Sequence, residues 1–146
     1  MYGPHQLANH AYAAVIPKFL DAALRGHPVE IFGDGTQSRD FTYVDSVCAV
    51  LAESVIQHVY STDPINLAFG TNTRLLDLLK LMELEIGMTI QREYTASRIG
   101  DVMASQADCT RLKNLFPAVV PVQLDEGIRR TAEWLSQTMI NKEDGK

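Results

Sequence analysis

The stretch Val29-Glu30-Ile31-Phe32-Gly33-Asp34-Gly35-Thr36-Gln37-Ser38-Arg39-Asp40-Phe41-Thr42-Tyr43-Val44-Asp45 decides how the chain is read. Val29 to Phe32 alternates in the manner of a strand, with every second side chain on the same face. Gly33 to Ser38 is turn chemistry, and Phe41 to Val44 reads as a second short strand, so a hairpin-like pair is expected. Asp45 then stands where an N-cap belongs, before Val47, Val50, Leu51, Ser54 and Val55 at helical spacing; the helix is expected to run to about His58.

Two glycines straight after a strand invite a dinucleotide reading, and the context rejects it. A phosphate loop of the G-x-G-x-x-G kind needs a helix N-terminus directly after the turn. Here the third glycine position holds Ser38, and Ser38-Arg39-Asp40 leads into another extended stretch. The glycines more simply allow a tight turn that presents Arg39.

Working outward, Met1 to Asn9 has no periodic pattern and reads as a loop. A short helix follows, with Pro17 in its first turn and Gly26 past its end, each at its preferred terminus. Downstream, Ile65 to Phe69 reads as a strand. Thr73 is expected to cap a helix that buries Leu75, Leu78, Leu79 and Met82 and ends at Gly87. Thr89 to Tyr94 alternates as a strand, Cys109 to Leu115 forms a short helix, and Asp108, like Asp45, reads as a cap. The last helix starts near Asp125, places Ile128, Thr131, Ala132 and Leu135 on one face, and is expected to fray after Asn141. The fold class is mixed α/β, with strands too short and too few for a complete doubly wound sheet.

The 146 residues suit one domain, and 46% hydrophobic with 21% charged residues is a globular balance. A formal net charge of −5 argues against nucleic acid or an anionic membrane as partner. The longest apolar run, Ala11 to Pro17, is too short to span a bilayer, and no leader pattern opens the chain, so a cytoplasmic location is expected. Cys48 and Cys109 suggest no disulfide framework, and Cys48 is expected in the core. His5, His10, His27 and His58 lack ligand spacing, so no metal is expected.

Several ordered motifs carry a resemblance. Tyr2-Gly3-Pro4, Tyr12-Ala13-Ala14-Val15-Ile16-Pro17-Lys18-Phe19 and Ile31-Phe32-Gly33-Asp34-Gly35 come first, then Ser38-Arg39-Asp40-Phe41-Thr42-Tyr43-Val44-Asp45. Asn66 to Gly70, Arg98-Ile99-Gly100-Asp101-Val102 with Ser105-Gln106-Ala107-Asp108, and Leu124-Asp125-Glu126-Gly127-Ile128 continue the series to Trp134. Together they resemble the NAD-dependent epimerase/dehydratase family of extended short-chain dehydrogenases/reductases, nearest to UDP-hexose and UDP-N-acetylhexosamine 4-epimerases. The resemblance implies a small C-terminal cap that closes a nucleotide-sugar site, without the N-terminal Rossmann sheet that holds NAD.

What it implies for the site is residue by residue. The backbone around Ala14 and Val15 meets the uracil or ribose, Glu30 and Phe32 line the base, Arg39 and Arg98 hold the diphosphate, and Asp101 holds the ribose hydroxyls. The residue types suit those tasks, because guanidinium forks bind phosphate oxygens bidentately and a carboxylate accepts from a diol. Plainer roles stand beside these: Arg39 paired with Asp40 or Asp45, Arg98 paired with Asp101, Phe32 in the core. Two positions depart from the pattern, His5 where Arg is common and Ala14 where Asn is frequent in galactose-type enzymes.

The family's acid/base pair, Tyr-x-x-x-Lys, is not found: Tyr2, Tyr12, Tyr43, Tyr60 and Tyr94 are followed four positions on by Gln6, Ile16, Val47, Pro64 and Arg98. The expectation is therefore a UDP-sugar-binding portion, inactive alone, with no cofactor site of its own and NAD entering only with a Rossmann domain. Its domain face would be apolar and meet that domain or a second copy. The alternatives are a stand-alone nucleotide-sugar binding module and a repurposed oligomeric interaction protein.

Overall fold

The computed structural model describes residues 1–8 and 13–144, with side chains through Asn141. Its organising element is β1 (Val29–Phe32), whose Val29 and Ile31 are fully buried while Glu30 and Phe32 point the other way. β1 pairs in parallel with β4 (Arg92–Thr95), in the register Val29 to Arg92 through Phe32 to Thr95. Parallel partners need a long crossover, and the chain between them supplies it.

On the buried face of β1 lie three helices: α1 (Val15–Leu24), α3 (Leu75–Ile86) and α5 (Leu124–Asp144). Ile16 and Leu20 of α1, Leu78, Leu79 and Met82 of α3, and Ile128 of α5 are closed to solvent and form one cluster with Val29 and Ile31. Their spacing of three and four residues lines one side of each helix. Pro17 falls in the first turn of α1, where no intrahelical acceptor awaits its missing N–H; Gly26 beyond the end takes φ +71°, and Gly87 closes α3 in the same left-handed way at φ +66°.

A second small sheet pairs β2 (Ser38–Arg39) antiparallel with β3 (Thr73–Arg74). A smaller cluster joins Val50 of α2 (Val44–Ile56) to Leu112 of α4 (Thr110–Leu115) and to Phe116. Among the described residues the mixed α/β class and the five helices match the sequence reading; the two sheets are separate and neither is closed.

Several local expectations are corrected. Phe41 to Val44 forms no strand and no hairpin with β1, because β4 occupies the β1 edge and Tyr43 bridges Tyr2 instead. Tyr2 lies in the expected loop and is nonetheless buried: its N–H donates to the Thr42 carbonyl at 3.0 Å, its carbonyl accepts from the Val44 N–H at 2.9 Å, and its ring lies edge-on to Tyr43. Ile65 to Phe69 has no ladder partner among the described residues and is not a strand; Ile65, Leu67 and Phe69 pack instead on the smaller cluster.

Tyr43, not Asp45, is the N-cap residue of α2, and Arg74, not Thr73, that of α3. Asp45 sits in the first turn and pairs with Arg130 at 3.2 Å, where its charge still suits the helix dipole. Asp108 does accept the Thr110 N–H at 2.9 Å, one position ahead of the Cys109 cap. Cys48 is exposed, because α2 turns Ser46 and Val50 inward and leaves Cys48 on the opposite side with Leu51 and Val55. α5 continues to Asp144, past the fraying expected after Asn141.

Gly127 is the one helical glycine with a packing reason: a Cβ there would stand 2.1 Å from the Tyr2 hydroxyl, which donates to the Leu124 carbonyl at 3.2 Å. Gly127→Ala normally favours a helix by about 1 kcal/mol. Here overpacking against Tyr2 and Tyr43 outweighs that gain, and a net loss of about 1–2 kcal/mol is expected in urea unfolding.

On the outer face of α5, hydrogen bonds from Arg129 and then Arg130 hold the Glu126 carboxyl down to about 2. Its folded value lies below its ordinary 4.5, so the contribution is complete above that value and fades as pH falls towards 2. Acid unfolding of Glu126→Gln should lack this step. Because the group is exposed the step is small and weakens with salt.

Candidate functional site

The polar face of β1 opens onto a cleft of about 420 Å³. Its second wall is the N-terminal end of α1, from Ala13 through Ile16 and on to Lys18. The turn after β1 brings the chain back as β2, and the loop at 98–101 closes the far end. Ala14, Val15, Glu30, Phe32, Arg39, Arg98 and Asp101, all singled out from the sequence, line this one cavity.

The return turn depends on glycine. Gly33 and Gly35 take φ of +75° and +77°, and a Cβ on either would crowd Ser97 or Leu76 at 2.8 Å. Between them Asp34 accepts from the Thr36 hydroxyl at 2.7 Å and the Thr36 N–H at 2.9 Å, bonds that lower its pKa and lock the bend. The Gln37 side-chain amide donates a hydrogen bond of 3.0 Å to the Phe32 carbonyl, tying the end of β1 to the start of β2.

Arg39 is held on three sides. One guanidinium nitrogen donates to the carbonyls of Ser38 and Val102, and the other meets the Asp101 carboxylate at 2.6 Å. Neither plainer partner expected for it is used: Asp40 accepts from the Gly70 N–H and the Thr71 hydroxyl, and Asp45 faces Arg130. Arg98 leaves Asp101 to Arg39 and stacks instead over the Phe32 ring, 3.7 Å from its centre. Phe32 is thus a cleft residue and not core. Opposite them Lys18 approaches Glu30 at 3.7 Å.

The cleft lining balances Lys18, Arg39 and Arg98 against Glu30, Asp40 and Asp101. With Asp40 turned to the Gly70 loop and Glu30 facing Lys18, Asp101 pairs with Arg39 alone, while Arg98 rests on the Phe32 ring. That end of the cleft carries two guanidinium groups beside one carboxylate. Burial pushes the Tyr2 phenol far up, so this cleft residue stays neutral and is no general base near neutral pH. Among the described residues no group of three His, Cys, Asp or Glu could hold a metal, and no helix is long and apolar enough to cross a membrane.

Residues 1–68 match the model of the NAD dependent epimerase/dehydratase family. Across 94% of its length the chain superposes on a solved UDP-N-acetylglucosamine 4-epimerase from Methanobrevibacter ruminantium, in complex with UDP-N-acetylmuramic acid, at TM-score 0.83 and 34% identity. A UDP-glucose 4-epimerase from Thermotoga maritima, solved with UDP-glucose, gives 0.85 and 33% over the same share. UDP-glucuronate 4-epimerase of Thermodesulfobacterium geofontis is 32% identical over 84% of this chain.

The chain is similar to the NAD-dependent epimerase/dehydratase family.

It spans 44% of those two solved chains and 38% of the Thermodesulfobacterium enzyme. The glycine turn of this chain is not built as a dinucleotide phosphate loop. The turn runs into β2 and not a helix, and it carries the Asp34 carboxylate where a pyrophosphate would need donors.

Lys18 and Gln37 went unassigned in the sequence. Lys18 was legible in principle, since it stands one helical turn after Ala14; Gln37 needed the bend itself. Replacing Asp101 with Ala should leave Arg39 on the two carbonyls and loosen the 98–103 loop. Amide exchange there should quicken, while global stability changes by less than about 1 kcal/mol because the pair is one-third exposed.

Proposed function

We propose that this chain is the nucleotide-sugar-binding portion of an NAD-dependent epimerase/dehydratase and that its cleft binds the UDP moiety. The observation that carries this is the meeting of Arg39 and Arg98 at one end of a cleft that also holds Phe32 and the first turn of α1. A diphosphate calls for charge-assisted donors and a pyrimidine for a flat face, and the cleft offers both side by side.

Binding exchanges contacts already made. Arg98 leaves the Phe32 ring for phosphate oxygens, which opens the ring to the base. Arg39 keeps its backbone anchors and turns its second nitrogen from Asp101 to the diphosphate, freeing that carboxylate for the ribose hydroxyls. Each swap replaces a partner instead of desolvating a bare charge, so reorganisation is modest. Hydride transfer would fall to a dinucleotide-binding domain, docked or joined to this one. The exposed Leu51, Val55 and Ile56 of α2, beside the unladdered stretch Ile65 to Phe69, support such a covered face.

Half a clamp binds weakly, and calorimetric titration with UDP or a UDP-sugar should give a Kd of about a millimolar or somewhat tighter, on the order of −4 to −5 kcal/mol. Arg39→Ala and Arg98→Ala should each weaken it by about tenfold or more. Absence of heat at millimolar ligand would end the nucleotide reading. Mixing with a separately expressed NAD-binding half should restore epimerisation; no complex between the two would count against the enzyme-portion reading while leaving UDP binding standing.

A further inference from the structure

We propose that Asp40 is a positioning residue for Arg39, which it holds in place through a closed ring of hydrogen bonds running by way of Gly70 and Gln106. This rests on the nucleotide reading above, since an anion received by Arg39 is what reports the aim of that side chain.

Arg39 stands at the end of a ladder only two residues long, with Ser38 opposite Arg74 and Arg39 opposite Thr73. So short a pairing fixes its last residue weakly. The backbone on either side of Arg39 is secured by other means. Before it, the Ser38 N–H donates to the Met103 carbonyl at 2.8 Å, and the Ser38 carbonyl accepts from the Ser105 N–H at 3.1 Å. After it, the Asp40 carboxylate uses both oxygens: one accepts from the Gly70 N–H at 3.0 Å, the other from the Thr71 hydroxyl at 2.8 Å. The Thr71 oxygen in turn accepts from the Phe41 N–H at 3.3 Å, so the residue after Asp40 is tied to the same loop.

The two anchorages meet. The Gly70 carbonyl accepts from the Gln106 side-chain amide at 2.7 Å, and Gln106 is the chain neighbour of Ser105. A circuit through Asp40, Gly70, Gln106, Ser105 and Ser38 thus returns to Arg39, whose side chain braces against Val102 and Asp101 just upstream of Ser105. Gly70 fills its place only as glycine: it takes φ +76°, and a Cβ would stand 2.8 Å from the Cys109 sulfur. A guanidinium whose backbone is held on both sides has less freedom to lose when an anion arrives.

Charge separates this role from two others. Asp40 lines the cleft, so its carboxylate opposes an anion there, and on charge alone its removal would tighten binding. As a plain loop anchor, its removal would lower stability and leave the affinity of the folded protein unchanged. As a positioning residue, its removal weakens binding, and only while Arg39 is present. Asparagine suits the test because its amide nitrogen cannot accept, so one of the two hydrogen bonds is lost at constant size.

The experiment is NMR titration of the full chain with UDP, following signals of the folded protein, in the wild type and in Asp40→Asn, Gln106→Leu, Thr71→Val and Thr71→Ser. Each variant is also made with Arg39→Ala. Asp40→Asn, Gln106→Leu and Thr71→Val should each weaken UDP by about fivefold, while Thr71→Ser, which keeps the hydroxyl, should bind like the wild type. With Arg39→Ala already present, the same changes should alter affinity by less than about twofold. In the free protein, nuclear relaxation at the Arg39 Nε–H should show a looser guanidinium in Asp40→Asn and Gln106→Leu. Gln106 and Thr71 are exposed, so their variants carry the test if Asp40→Asn fails to fold. Unchanged or tighter UDP binding in the ring-broken variants, or equal losses with and without Arg39, overturns the positioning role and leaves the nucleotide site standing. Failure of the wild type to bind UDP removes the parent reading and this one together.

Discussion

A four-residue strand has two faces, and the parallel pairing of β1 with β4 fixes what each receives. Val29 and Ile31 go to the hydrophobic cluster beneath α1, α3 and α5; Glu30 and Phe32 go to the cleft. A slip of one residue would bury Glu30 and strip the core of its two central side chains. The same burial that stabilises the domain therefore also aims two side chains into the cleft. Few residues are needed to build this site because the core holds its floor.

The charged groups of the cleft are already engaged before any ligand arrives. Arg39 is braced by two carbonyls and Asp101, Arg98 rests on Phe32, and Glu30 faces Lys18. Such bracing limits the rotamer freedom that an incoming anion has to remove. It also sets a competition, since a phosphate has to offer Arg39 more than Asp101 does. A diphosphate carries enough acceptor oxygens for both guanidinium groups; a carboxylate ligand would merely replace one like group with another.

The sequence disclosed those parts of the fold that depend on local periodicity. Leu75, Leu78, Leu79 and Met82, and Ile128, Thr131, Ala132 and Leu135, are all buried, as helical spacing requires. It misled where pairing is non-local: no rule of alternation says that β1 joins residues beyond 90 instead of its neighbour, or that Tyr2 docks on Tyr43. α2 shows the same limit from another side, for its apolar residues are spread over more than one face and their spacing could not reveal that Ser46 and Val50 would be the inward pair. The cleft lining was legible through the family resemblance, because motif order survives where pairing rules do not. Lys18 lies inside one of those motifs, yet its approach to Glu30 across the cavity could not be read from it.

The floor of the cleft joins distant parts of the chain. The Thr95 hydroxyl donates to the Ile31 carbonyl from 64 positions away, and Arg39 reaches Val102 across 63. The helical core waits as well, since α5, which packs on α1 and α3, follows β4 in the chain. On a ribosome, Glu30 and Phe32 emerge long before the strand that sets their direction. A nascent chain that stops short of β4 thus carries a strand with one finished face and one unfinished, and the cleft has no floor until residues some sixty positions apart have met.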